Sequence, residues 1–247
     1  NYVLNLRNDS KIDVESNDLG TYVHYVLQRL LEDYIKGNVK ADTDESELKE
    51  KLNIYTCEFT SGYLNVDISR PGYAKIKALF ERMKKNTLKA AQNILCELSS
   101  SEFKPSKLEL NISDSGEMPP LRIQLSDGSS AVLGGVADRV DTYSADGKTY
   151  IKLMDYKTGK PSFSLNGIEK CDGIQLFVYM ISICTKGGKL FGGDIKPAAA
   201  FYVAVTPEVK EHDFPIDEET ADTLARDGII RRGAVLNDEE VMKAVFG

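Results

Sequence analysis

Leu133-Gly-Gly-Val-Ala-Asp138-Arg-Val-Asp141 and, after a short polar interval, Tyr150-Ile-Lys-Leu-Met-Asp155-Tyr-Lys157 decide how this chain is read. Ala131 to Tyr143 is rich in β-branched and apolar residues, Asp146-Gly147 supplies a turn within Ser144 to Lys148, and Thr149 to Thr158 continues as a second strand. The segment therefore reads as a β-hairpin. Side chains alternate across a strand, which puts Asp155 and Lys157 on the face of Ile151 and Leu153, and Asp138 on the face of Val132, Val136 and Val140. Two carboxylates and a lysine beside apolar neighbours are costly unless compensated, and a hard divalent cation held by oxygen ligands would compensate them. A lysine two residues past the second carboxylate suits stabilisation of an attacking hydroxide or a phosphate oxygen, so the chemistry indicated is phosphodiester hydrolysis. Asp-x-Lys is also a common strand-end salt bridge, and only its companions elsewhere in the chain favour the metal site over that plainer alternative.

Composition narrows the class. The 247 residues suffice for one large domain or two small ones with a substantial core, and 42% apolar with 28% charged residues is ordinary for a soluble globular protein. No apolar run approaches membrane-spanning length and Asn1-Tyr-Val-Leu4 lacks the layout of a signal peptide, so a cytoplasmic protein with no membrane partner is expected. The missing initiating Met gives the expectation of a fragment. Cys57, Cys96, Cys171 and Cys184 are widely separated, without a C-x-x-C pair, and signal neither a zinc site nor a disulfide framework. A net charge of -7 argues against a protein that coats nucleic acid through an excess of Lys and Arg. It leaves a nuclease open, because a metal-collecting site is itself acidic and DNA grip can come from a local patch or a partner.

Upstream, Asn17 or Asp18 can cap a helix with apolar positions Leu19, Val23, Val26, Leu27, Leu30 and Tyr34, ending near Gly37. His24 flanks that stripe; a hydrogen-bonded core histidine and a ligand are both open at this point. Asn38 to Asn53 is acidic with a short helix expected over Glu45 to Leu52, and Tyr55 to Ile68 is ambiguous between strand and irregular structure. Pro71 suits a first helical turn, and Ile76, Phe80, Met83, Thr87, Ala90, Ile94 and Leu98 mark the buried face of a long helix. Lys75, Arg82, Lys85 and Lys89 form a basic stripe on another face, a candidate DNA contact against the alternative of a solvated face. Lys107 to Ile112 and Leu121 to Leu125 alternate as strands; Glu109 shares a face with Lys107 and Asn111, while Leu108, Leu110 and Ile112 face the other way. Beyond the hairpin, a loop after Gly159 and Pro161 leads to a helix from about Asp172 to Cys184, apolar except for the line Gln175, Tyr179, Ser182. Ala198 to Thr206 reads as an interior strand, and Asn237 with Glu240 as the capping box of a last short helix. The same alternation that places Asp138 puts Asp141 on the opposite face with Arg139, as a surface ion pair.

Taken in order, Gly20-x-x-x-His24, Gly135-x-x-Asp138-Arg-Val-Asp141, Asp155-Tyr-Lys157-Thr-Gly159 and Gln175-x-x-x-Tyr179 resemble the RecB-type nuclease branch of the PD-(D/E)xK superfamily, and within it the AddB-type nuclease domains of bacterial helicase-nucleases. The resemblance spans roughly residues 17 to 205. It implies an α/β, restriction-endonuclease-like core, a mixed β-sheet flanked by helices, in a single nuclease domain over 1–247 with 206–247 as a C-terminal extension. It also implies His24, Asp138 and Asp155 as metal ligands with the Tyr156 carbonyl as a fourth, Lys157 as the catalytic lysine alongside Asp138 and Asp155, and Gln175, Tyr179 and Glu109 as substrate-positioning residues. The implied cofactor is Mg²⁺, with Mn²⁺ as the alternative. The implied substrate is a single-stranded DNA end delivered by the helicase, the 5'-ended strand, and the implied partner is an AddA-like helicase-nuclease subunit in recombinational break repair. The resemblance also implies an iron-sulfur cluster in the longer parent, its cysteines bracketing the nuclease domain with one before it and a close-spaced group after it; none of the four cysteines here has that spacing, so cluster ligands are expected outside this chain. No G-x-x-x-x-G-K-[ST] loop is present for ATP. A stand-alone RecB- or Cas4-like exonuclease and a non-catalytic scaffold that docks DNA or a partner are the other readings. The scaffold is disfavoured because the ligands and the lysine are all retained.

Overall fold

The computed structural model is helical in three long segments between Ser16 and Ser100 and turns to strands from Lys104. It describes residues 14–159, 163, 173–206, 220, 223–224 and 228–247. Helix α1 (Ser16–Ile35) opens at Glu15, whose N–H donates to Asp18 Oδ2 at 2.9 Å, and buries Tyr22, Val23, Val26, Leu27, Leu30 and Leu31. Helix α2 (Glu45–Gly62) is capped by Asp44, which accepts from the N–H groups of Ser46 and Glu47. It runs well past the short helix expected to Leu52, because Tyr55 and Phe59 extend the buried face of Leu48 and Leu52. The β-branched Thr56 that obscured the pattern returns its hydroxyl to the Leu52 carbonyl and bonds Tyr22. Pro71 opens a single 3₁₀ turn (Pro71–Tyr73) leading into α3 (Ala74–Ser100), whose buried face is the expected one.

Strands β1 (Lys104–Ile112), β2 (Leu121–Gln124), β3 (Ser130–Leu133), β4 (Gly135–Ala145) and β5 (Lys148–Lys157) follow. Then come α4 (Gln175–Lys186), a short α5 (Gly188–Phe191), β6 (Asp194–Ala204), β7 (Arg231–Val235) and α6 (Glu239–Phe246). The main sheet has the order β1-β4-β5-β6-β7, antiparallel throughout except for the parallel pair β5–β6, whose crossover carries α4. This is the mixed sheet flanked by helices that the sequence indicated. Helices α1 to α3 and α6 cover one face with a core that includes Met154, Tyr156, Phe201 and Val203. Helix α4 covers the other, over Leu110, Ala137, Val140, Ile151, Leu153 and Tyr202.

Four sequence readings change. The first strand of the hairpin is not continuous: it breaks at Gly134, so β3, with Val132, pairs with β2 in a separate two-stranded ribbon and only β4 joins β5. A side chain at Gly134 would meet the Ile112 carbonyl oxygen at 2.2 Å, which explains why the chain turns there through glycine. Asp138 therefore shares no face with Val132. The alternation of β1 also breaks: Glu109 has φ 49°, so Leu108 packs toward the helical core while Leu110 and Ile112 enter the α4 core. Opposite it, Ala137 and Val140 both face α4 although three residues apart. The stretch 206–247, set apart as an extension, supplies β7 to the sheet and Val241, Ala244 and Val245 to the helical core. The last helix is capped by Asp238, which accepts from Val241 N–H at 3.0 Å, one residue beyond the expected Asn237.

Candidate active site

The ladder between β4 and β5 ends at Arg139 and Met154, yet both strands continue, β4 back through Asp138 to Gly135 and β5 on to Lys157. The two strands part there like the arms of a fork. Tyr156 N–H, no longer served by a ladder partner, donates to Asp138 Oδ2 at 2.7 Å, which fixes that carboxylate between the arms. Helix α1 brings His24 to the same place: its Nδ1 lies 3.3 Å from Asp138 Oδ1 and 4.0 Å from Glu109 Oε1. Ligand atoms of His24, Glu109 and Asp138 all fall within 4.8 Å of one another.

Asp155 stands on the other arm. It is not in that group of three, but its charge acts on both His24 and Glu109. Its Oδ2 is buried, with the Lys157 ammonium 2.6 Å away as an ion pair. The Tyr156 side chain turns to the opposite face, its hydroxyl 3.5 Å from Arg139.

Electrostatics mark the cluster as short of positive charge. Burial, then the neighbouring charge of Asp138, pushes Glu109 up to about 7, with His24 opposing. Asp155 is raised by burial and by Asp138, against the pull of Lys157. For His24, burial works against protonation but is outweighed by Asp138, Glu109 and Asp155, so its pKa rises. Carboxylates gathered about one histidine, two of them with raised pKa, suit a hard cation, which would reverse each of these shifts. Glu109 holds its position through left-handed backbone, a conformation that costs a residue other than glycine on the order of 1–3 kcal/mol.

Helix α4 buttresses the Asp138 arm. Gln175 Nε2 donates to the Tyr179 hydroxyl at 3.0 Å, and that hydroxyl sits against Gly135, where a β-carbon would come within 2.1 Å of it. The basic residues Lys75, Arg82, Lys85 and Lys89 lie on α3. Cys57, Cys96 and Cys184 are free thiols on three different helices, and Cys171 falls outside the described residues, as does the loop through Pro161.

Sequence reasoning missed what lies behind the fork. Asp141 does pair with Arg139, but the pair is buried, not on the surface. Arg139 donates to Asp141 from Nε at 2.7 Å and from Nη2 at 2.6 Å, and both side chains are 0% exposed. Lys152 approaches Asp141 at 3.2 Å and bonds Glu97 of α3, which also meets Arg139 at 3.1 Å. The signal that could have found it was Lys152 in mid-strand, which the register sets directly across from Asp141. The error came from taking the second face of the sheet as solvated, whereas α3 covers it.

Comparison with known proteins matches the PD-(D/E)XK nuclease superfamily over residues 1–244. The chain belongs to that superfamily. Asp155-Tyr156-Lys157 matches the (D/E)-X-K pattern of its name. Bacterial proteins named as one component of an ATP-dependent helicase/deoxyribonuclease are similar to it. That of Clostridium acetobutylicum is 27% identical over 245 residues, 98% of this chain and 21% of the relative. That of Clostridioides difficile is 29% identical over 233 residues, 92% of this chain and 19% of the relative. The chain thus spans about a fifth of the length of the curated relatives it matches. No described helix is long and apolar enough to cross a membrane.

Proposed function

We propose that this chain is a metal-dependent deoxyribonuclease domain, the nuclease part of a cytoplasmic helicase-nuclease that works with an AddA-like subunit on single-stranded DNA ends during recombinational repair. The observation that carries the reading is the convergence of His24, Glu109 and Asp138 at the open end of the β4–β5 fork, with Asp155 and Lys157 on the facing arm. His24, Asp138 and Asp155, with the Tyr156 carbonyl, would hold the cation, Mg²⁺ or Mn²⁺, and Glu109 lies close enough to His24 and Asp138 to serve the same group. When bound, such an ion supplies Lewis-acid polarisation of a phosphate and lowers the pKa of water.

The chain's own groups do the rest. Lys157 is half-exposed and positively charged beside the carboxylates, so it can offer hydrogen bonds to the developing negative charge on a phosphate in the transition state. Asp138, pinned by Tyr156 N–H, keeps one carboxylate oxygen fixed and leaves the other toward His24. Gln175 and Tyr179 hold the Gly135 end of β4 and, in this reading, orient the nucleic acid, and the α3 stripe is a contact to the nucleic-acid backbone.

The test is cleavage of single-stranded DNA with a Mg²⁺ titration, repeated with Lys157→Ala. Lysine is not a metal ligand when protonated, so the variant should retain cation binding by calorimetry and lose cleavage by orders of magnitude. Cleavage that persists in a chelator, or a Lys157→Ala protein that cuts at the wild-type rate, would sink the reading.

A further inference from the structure

We infer that Tyr202 is a positioning residue for Lys157, its ring face holding the ammonium at the mouth of the fork; this rests on the reading of Lys157 as the catalytic lysine. Tyr202 is on β6, and the parallel register sets it beside Asp155, so the two side chains share a face and Lys157, two residues on, comes within diagonal reach. The Lys157 ammonium lies 5.4 Å from the centre of the Tyr202 ring, inside the range of a cation–π contact. On its other side is Asp155 Oδ2, at 2.6 Å.

The ring is itself fixed. It is buried in the α4 core, and its hydroxyl donates to the Gly173 carbonyl at 3.2 Å, two residues before Gln175 begins α4. The lysine, by contrast, is a point charge on a flexible four-carbon stem with its side chain 39% exposed. Asp155 alone is a poor anchor for it, because the proposed site turns that carboxylate to a cation. A ring face attracts an ammonium without competing for the cation, so Tyr202 retains Lys157 when Asp155 is engaged. The same ring ties the lysine arm to the helix that carries Gln175 and Tyr179.

The experiment uses the intact protein and two readouts. In steady-state cleavage of a single-stranded oligonucleotide with Mg²⁺, Tyr202→Met should lower kcat by about tenfold with KM and Mn²⁺ affinity within about twofold of wild type. Tyr202→Phe, which keeps the ring, should restore kcat. Independently, in metal-free wild-type protein labelled at lysine Cε, the Lys157 signal should be displaced upfield by the ring current; its loss in Lys157→Arg assigns it. That measurement decides the matter if Tyr202→Met does not fold. Wild-type kcat in a folded Tyr202→Met, a Phe variant as impaired as the Met variant, or a Lys157 signal among those of the solvent-exposed lysines would overturn the inference. A Lys157→Ala protein that still cuts would instead overturn the catalytic reading while leaving the ring contact measurable.

Discussion

Asp141→Ala separates the buried network from the proposed metal site. Asp141 accepts two hydrogen bonds from Arg139 and an ion pair from Lys152, all without solvent. Removing it leaves two buried cations sharing Glu97, the remaining acid that contacts both. Breaking a buried pair by deleting one partner costs about 3–5 kcal/mol, because the survivor stays desolvated. For a domain of this size each kcal/mol lowers the melting temperature by about 2–4 °C, so the variant should melt on the order of 6–20 °C lower. A surface pair would cost about 0–1 kcal/mol and about 4 °C at most. The assay is thermal melting paired with urea denaturation, followed by cleavage at a temperature where the variant is folded. Cleavage should then persist, whereas Asp138→Ala should be folded and inactive. Replacing Arg139 and Asp141 together by Met and Leu removes one charge of each sign, keeps Glu97 with Lys152, and should destabilise less than Asp141→Ala alone. A melting shift under about 4 °C for Asp141→Ala would refute the account of this network.

Glu97 carries a pH prediction. Burial would raise its pKa, but Arg139 and Lys152 outweigh that and hold it at about 2 against an ordinary 4.5. A depressed carboxylate contributes stability that is complete above the unfolded value and lost as pH falls toward the folded one, so wild-type melting should decline between pH 4.5 and 2 and Glu97→Gln should decline less steeply there. Equal slopes would contradict it. Gly135→Ala places a β-carbon 2.1 Å from the Tyr179 hydroxyl at φ 150°, and should lose about 1–3 kcal/mol and much of the cleavage, with part of the stability recovered by adding Tyr179→Phe; wild-type melting in the single variant would count against that contact. Replacing Lys75, Arg82, Lys85 and Lys89 by Ser should reduce the salt slope of single-stranded DNA binding by as much as about 3. An unchanged slope returns α3 to a solvated face.

Helix α1, the buried face of α3, the turn between β4 and β5, and α4 were legible because their periods are clean; Asp138, Asp155 and Lys157 stood out as charged groups interrupting apolar runs, whereas His24 was singled out only through the family resemblance. Face assignments held on β5, where Ile151 and Leu153 enter one core and Met154 and Tyr156 the other. They failed on β1, because period-two counting assumes regular strand backbone and Glu109 does not have it. Partnering was legible only for neighbours in sequence: that Glu97 would meet Arg139 and Lys152, or that Tyr202 would lie beneath Lys157, depends on which elements cross the sheet. Local spacing carries no such information.

The broken alternation at Glu109 has a counterpart opposite it. Leu108 pairs with Arg139 and Leu110 with Ala137, so Glu109 and Asp138 face one another across the ladder at the one place where both strands lose their two-residue rhythm. Excise the two together and the flanking residues close into an ordinary antiparallel pair: Leu108 beside Leu110 on alternate faces, Ala137 beside Arg139 likewise, and the remaining register undisturbed. The acidic residues thus occupy what amounts to one inserted rung. The two carboxylates nearest His24 sit where the alternation of both strands breaks, and the residues that fill the two cores lie to either side of that break.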